Sequence, residues 1–259
     1  WVRDDDPSNK RDDVMAAVKA EAAYADAFMA RLQPLQDTLF GEIRGRIKED
    51  DSTVPAFDRG WWYWQRFDAG AEYATYVRQK GTPGGPDAGA PVEVLLDVPA
   101  MAKGKDFMKI GDVAVSPDGR WLAWTEDLSG RRIHTIHIKE LATGQELPDR
   151  IEGTLESLEW AADSATLFYV KQDPVLLQTG PVHRHARGTP ATADVKVYDE
   201  PDKTLFTEIS ASRSRKYLLI HMEGYDTNEL RAVPLDRPEQ PPTVVLARRP
   251  DARNYADHC

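Results

Sequence analysis

The sequence predicts a mainly β chain: a partial β-propeller of about four blades behind an α-helical amino-terminal extension. Three observations carry this. The run from Val113 to Thr125 reads as strand, tight turn and strand, with Ser116-Pro117-Asp118-Gly119 at the corner. Pro117 presets the backbone for a turn, Asp118 can hydrogen-bond locally, and Gly119 takes a positive φ at no steric cost. Weaker copies follow: aligning the apolar strands places Ser116 over Ala161 and then over Ser212, offsets of 45 and 51. A four-strand unit recurring at about that period is how a propeller shows itself in sequence. Finally, the apolar period switches from helical to two-residue near Gly60.

The extension comes first, over residues 1–58. Val14, Val18, Ala22, Ala25, Phe28, Met29, Leu32, Leu35, Leu39, Ile43 and Ile47 fall at three-and-four spacing, which predicts one buried stripe. Gln33-Pro34 should divide it into two helices, because proline lacks the N–H and clashes with the preceding turn. Asp4, Asp5 and Asp6 ahead of Pro7 suit a helix start. The propeller is expected over 59–259, in blades near 59–98, 107–150, 154–199 and 204–247, with the start of a fifth.

In the first blade, Trp61 to Phe67 is an aromatic strand, Tyr73 to Val77 returns, and Val92 to Leu96 follows a loop rich in Gly and Pro. The second blade holds the Ser-Pro-Asp-Gly turn, a strand from Ile133 to Ile138, and a short strand near Leu147. The third runs from Leu155 to Trp160 and returns at Leu167–Val170; an irregular stretch over about 172–193 precedes Val195–Tyr198. The fourth comprises Leu205–Ile209, Tyr217–Ile220, Glu229–Val233 and Thr243–Leu246.

Composition narrows the function. Apolar residues are 41% and charged residues 29%, enough for a globular core. The net charge of −10 argues against nucleic acid, whose phosphates need clustered Lys and Arg. No segment is apolar over the roughly 18 residues of a membrane span. No basic-then-apolar leader is visible, and the chain opens at Trp1. A single cysteine, Cys259, excludes an internal disulfide framework and a multi-cysteine zinc site. A cytoplasmic compartment fits, and a periplasmic one fits as well.

No Gly-x-Ser-x-Gly nucleophile elbow occurs in the sequence, nor His-Glu-x-x-His, a phosphate loop or a dinucleotide fingerprint. Ser116 sits in a turn and is expected to be structural. His183 and His185 would share a strand face and could ligate a metal, but no further ligand has convincing spacing, so decoration of a loop or strand is the better reading. His134 and His137 should face opposite sides of their strand. Glu49, Asp50 and Asp51 read as a solvated connector, and Trp61–Trp64 as blade packing rather than a ligand platform. Arg131-Arg132 and Arg248-Arg249 are too isolated for a nucleic-acid patch. No catalytic, cofactor-binding or metal-binding residue is assigned, and no cofactor is expected.

Several segments together resemble oligopeptidase B, the basic-residue-specific branch of the prolyl oligopeptidase family of serine peptidases. They are Asp4-Asp5-Asp6, Glu21 to Tyr24, Gly41-Glu42-Ile43-Arg44-Gly45-Arg46-Ile47-Lys48-Glu49 through Pro55, Gly60 to Trp64, Val115 to Arg120, Trp160 to Asp163, and Val197 to Asp202. The stretch from Val175 to Pro190 matches poorly. The resemblance implies a seven-bladed propeller continued by an α/β-hydrolase domain with the Ser-Asp-His triad. This chain would be the front part, a lid that limits substrates to short peptides cut after Arg or Lys, inactive by itself. Its partners would be the missing catalytic domain and the peptides. Two other readings stay open: a non-enzymatic propeller that binds proteins or peptides, and the Pro-specific branch of the same family.

Overall fold

The computed structural model describes residues 10–174 and 178–259. The helix start expected at Asp4–Pro7 and the residues 175–177 lie outside that range. Two compact units are present, one of residues 1–51 with 67–70, the other of 52–66 with 71–259.

In the first unit, helix α1 (Asp12–Met29) begins with Asp12 and Asp13 in its first turn, where carboxylates complement the helix dipole. A 3-10 turn (Ala30–Leu32) leads into helix α2 (Gln33–Arg44), which carries Pro34 in its first turn. Proline thus divides the helix as expected, because only in a first turn is its missing N–H harmless. Met29, Ala30, Leu32 and Gln33 all keep right-handed helical angles, so α2 continues α1 rather than folding back on it. The expected burial of the stripe therefore does not occur. Val14 is buried, whereas Val18, Phe28, Leu35, Leu39, Ile43 and Ile47 are exposed.

The second unit is four blades of antiparallel strands. Blade 1 comprises Ala56–Asp58, Trp61–Phe67, Thr75–Thr82 and Val92–Asp97, paired in that order. Blade 2 comprises Lys109–Val115, Trp121–Asp127, His134–Glu140 and the first half of one strand, Glu146–Trp160. The second half of that strand opens blade 3, followed by Thr166–Gln172, Thr179–Ala186 and Val195–Tyr198. Blade 4 comprises Phe206–Ala211, Tyr217–Glu223, Asn228–Pro234 and Thr243–Leu246.

Two local features depart from the sequence expectation. The strand near Leu147 and the strand from Leu155 are one 15-residue strand that changes partner near Gly153. Gly153 has φ 68, so the chain turns from one blade to the next without leaving the sheet. The stretch expected to be irregular contains the strand Thr179–Ala186. Gly180, Val182 and His185 are its buried positions, and the polar residues between them mask the alternation.

Packing explains why the second strand of each inner blade is so apolar. In Trp121–Asp127 every residue is buried. Leu122 and Trp124 pack with Leu95, Leu96 and Val98 of blade 1, while Trp121 and Ala123 pack with Leu158, Trp160, Leu167 and Tyr169 of blade 3. Phe168 and Val170 turn the other way, onto Ile209, Leu218, Ile220 and Met222 of blade 4. Alternate residues thus serve alternate interfaces. Each fully buried Leu or Ile contributes roughly 1.5–3 kcal/mol.

Candidate functional site

The turns between the first two strands of blades 2, 3 and 4 form a repeated device. In blade 2 the Gly119 N–H donates to Ser116 O at 2.8 Å, and the Trp121 N–H donates to Ser116 Oγ at 3.0 Å. Ser116 Oγ donates to Asp118 Oδ1 at 2.5 Å. Blade 4 repeats the pattern, with Arg215 N–H donating to Ser212 O at 2.8 Å and Tyr217 N–H to Ser212 Oγ at 3.1 Å. Gly119, Ser164 and Arg215 occupy the same left-handed position, at φ 73, 56 and 58. Ser116 is therefore structural, as its sequence context predicts.

The inner strands have one edge without a strand partner, so their backbone groups need other partners. Neighbouring blades supply them. Asp112 accepts from the Leu158 N–H at 3.3 Å, Thr125 Oγ1 donates to Glu156 O at 3.0 Å, and Trp160 Nε1 donates to Ala114 O at 3.1 Å. Glu159 accepts from the Ala211 N–H at 2.9 Å. Arg78, almost wholly buried, donates to Gly119 O at 3.1 Å while its guanidinium lies 3.8 Å from the Trp61 ring centroid.

These inner strands, with neighbouring strands of blade 1, line a half-open cavity of about 800 Å³. Tyr63, Trp64, Tyr76 and Trp160 supply its aromatic walls, and Asp58, Asp112, Glu159, Arg59 and Arg215 supply its charge. Burial pushes the Asp112 and Glu159 carboxyls up; their backbone hydrogen bonds oppose that shift, and the neighbouring Arg215 also lowers Glu159. Among the described residues, no Ser, Cys, His or Lys lines the cavity. Its lining combines aromatic faces with charges of both signs. Among the described residues it offers no Ser or Cys nucleophile beside a histidine base.

The other sequence candidates lie elsewhere. His183 and His185 do share a strand, but their roles differ. His183 stacks on Tyr169, with centroids 5.6 Å apart. His185 is fully buried between two carboxylates, Nδ1 2.6 Å from Asp194 Oδ1 and Nε2 3.0 Å from Asp149 Oδ2. Tyr169 donates to the other Asp194 oxygen at 2.8 Å, and both burial and that carboxylate push its phenol pKa far up. This cluster ties the long strand, which carries Asp149, to blade 3. Asp149 and Asp194 have no sequence signal, being 36 and 9 positions from His185. Among the described residues, no group of three or more His, Cys, Asp or Glu could hold a metal ion.

His134 is buried on the face of Ile136 and Ile138, and His137 lies on the opposite face, stacked on Trp124. Ser210 Oγ and His221 Nε2 are 3.0 Å apart in blade 4, yet among the described residues no carboxylate hydrogen-bonds the other ring nitrogen. The orienting third member of a triad is thus missing. Glu49 pairs with Arg44 at 2.7 Å and Asp51 lies 3.6 Å from Lys48, a solvated connector. Of the tryptophan run, Trp62 donates to Thr82 O, while Trp64 reaches the cavity beside Tyr63. Arg248 is held by Glu200, Asp202 and Glu229 within the Val197–Asp202 neighbourhood.

Comparison with known proteins adds four findings. A family profile described as "Prolyl oligopeptidase, N-terminal beta-propeller domain" matches residues 1–259. Dipeptidyl aminopeptidase BI of Pseudoxanthomonas mexicana is 42% identical over 270 residues, covering 100% of this chain and 37% of that protein. Oligopeptidase B from Leishmania major superimposes with a TM-score of 0.86 at 28% identity, over 98% of this chain and 35% of that one. Oligopeptidase B from Trypanosoma brucei, in a closed form with covalently bound antipain, gives 0.83 at 26% identity, over 98% of this chain and 35% of that one. The chain spans about a third of the length of the relatives it matches.

Proposed function

The chain belongs to the prolyl oligopeptidase family, through that family's amino-terminal β-propeller domain, and from this premise we propose that it forms the helical extension and gating propeller of a serine oligopeptidase. The parent enzyme hydrolyses short peptides after Arg or Lys. Serine attacks the peptide carbonyl, histidine takes the proton and aspartate orients the histidine. We place that machinery in the rest of the parent, a reading supported by the lack of a Gly-x-Ser-x-Gly elbow in the sequence and by a cavity whose lining, among the described residues, includes no Ser, Cys or His. The propeller acts on access: peptides narrow enough to pass the cavity reach the hydrolase, and folded proteins do not.

The observation that carries the reading is the match to oligopeptidase B structures over 98% of the chain, with TM-scores of 0.86 and 0.83. The acidic balance of the chain, net −10, suits cationic substrates. The test is to assay the full-length protein and this chain separately on peptides with internal Arg, Lys or Pro. Cleavage after Arg or Lys by the full-length protein, blocked by a serine-reactive fluorophosphonate, is expected. Cleavage after Pro alone, or activity in this chain by itself, would overturn the assignment.

A second reading has its own support, the 42% identity to an enzyme named a dipeptidyl aminopeptidase. In that case the parent removes dipeptides from free amino termini. Acetylating the substrate's amino terminus then abolishes cleavage, whereas an oligopeptidase tolerates the block.

A further inference from the structure

Four charged residues from three blades meet at the turn end of the cavity. Asp58 and Arg59 belong to the hairpin that opens blade 1, Glu159 stands near the end of the inner strand of blade 3, and Arg215 sits on the blade 4 turn. Arg215 reaches both acids. Its Nη2 lies 3.6 Å from Asp58 Oδ2, and its Nη1 lies 3.9 Å from Glu159 Oε2. Arg59 Nη2 is 2.9 Å from the same Asp58 oxygen. Blades 1 and 4 belong to separate sheets, so Arg215 joins them across the cavity without a strand between them.

Two further facts argue that this contact is more than a decorated turn. Arg215 occupies a left-handed position, φ 58, where the blade 2 copy of the turn has Gly119. The turn is made more easily with glycine there, so the turn does not by itself call for a long cationic side chain. The pairs are also long, and the Arg215 side chain is 50% exposed. Such pairs are individually weak and yield to salt. A buried pair would weld the two blades, whereas a weak one can open and close.

We propose that Arg215 is a bar across the mouth of the cavity, closed on Asp58 and Glu159, and that it sets how readily peptides gain access. This rests on the reading of the propeller as the gate of a peptidase. A substrate passes when Arg215 swings away from its two carboxylates. The observed affinity then falls in proportion to the time the bar is shut. Salt opens it by screening both pairs.

The test uses the full-length protein with two independent readouts. One is kcat/KM for a short uncharged-flank peptide between about 0.01 M and about 0.15 M salt, where the screening length falls from about 30 Å to about 8 Å. The other is the labelling rate of a cysteine placed at Val113, which lines the cavity, by a bulky maleimide, in protein cleared of other cysteines. Arg215→Gln keeps a non-glycine residue on the left-handed backbone and removes only the charge. It should raise both rates about two- to tenfold at low salt and flatten their salt dependence, as loss of two weak pairs implies. Arg215→Lys should keep the wild-type response, and Asp58→Asn should reproduce Arg215→Gln. A well-folded Arg215→Gln that labels and responds to salt like the wild type overturns the bar while leaving the peptidase reading intact. If no peptide is cleaved but labelling changes as described, the bar stands and the peptidase reading falls.

Discussion

Residues at the turns carry most of what makes this chain repeat. Gly119, Ser164 and Arg215 take the same left-handed angles, yet only Gly119 does so without strain. A Cβ at Gly119 would meet only Trp61 Nε1 at 3.8 Å and Arg78 Nη1 at 3.9 Å, ordinary contact distances. Gly119→Ala should therefore lose about 1 kcal/mol through backbone strain alone, read as a lowered urea midpoint of the full-length protein. Asp112 supplies a second residue-scale prediction. Burial raises its carboxyl above the ordinary 3.8, so the fold favours the protonated form. Its contribution is fully present below the ordinary value and is lost as pH rises through the raised one. Asp112→Asn should remove that decline from the stability profile on the alkaline side of the ordinary carboxylate value, and parallel profiles would refute the point. The turn chemistry was legible in the sequence because it is local: Ser116, Ala161 and Ser212 stand where the alignment of strands puts them. The carboxylates of the cavity were not, because Asp58, Asp112 and Glu159 come from three blades and only folding brings them to one wall.

Among elements, the long strand from Glu146 to Trp160 does the work of two. It was read as separate strands because Gly153 interrupts the apolar pattern, and a left-handed glycine looks the same in sequence whether it ends a strand or bends one. The strand Thr179–Ala186 was hidden for a related reason: its buried members include His185, whose burial depends on Asp149 and Asp194. That cluster has a measurable consequence. Asp149→Ala would leave His185 Nε2 and the Gly188 N–H without their shared acceptor, and breaking a buried pair costs about 3–5 kcal/mol. Calorimetry of the full-length protein should show a markedly lower Tm. A loss as small as that of an exposed pair would mean the cluster is not a staple.

For the whole molecule, the helical extension and the outer blades leave apolar side chains uncovered. Val18, Leu35, Leu39 and Ile43 are exposed on the helices, and Val94, Phe206 and Val245 on the blades. Terminal repeats of such arrays need a cap, so the 259-residue chain produced alone should self-associate. Light scattering should report a mass above that of the monomer, and a monodisperse, cooperatively melting monomer would contradict this. The blade count was readable from the repeat. The exposed helical stripe was not, since three-and-four spacing records that a face is to be buried and says nothing of what buries it.

The shared strand also sets where the ring is mechanically strong. Blades 2 and 3 form one seven-stranded sheet, while blades 1 and 4 belong to others. Blades 2 and 3 are joined by the backbone of the shared strand itself, which passes from one partner strand to the other near Gly153. Parting blade 1 from 2, or 3 from 4, means separating side chains and the few hydrogen bonds between them. Relative motion of the blades is therefore expected first at the flanking seams, between blades 1 and 2 and between blades 3 and 4, rather than within the shared strand.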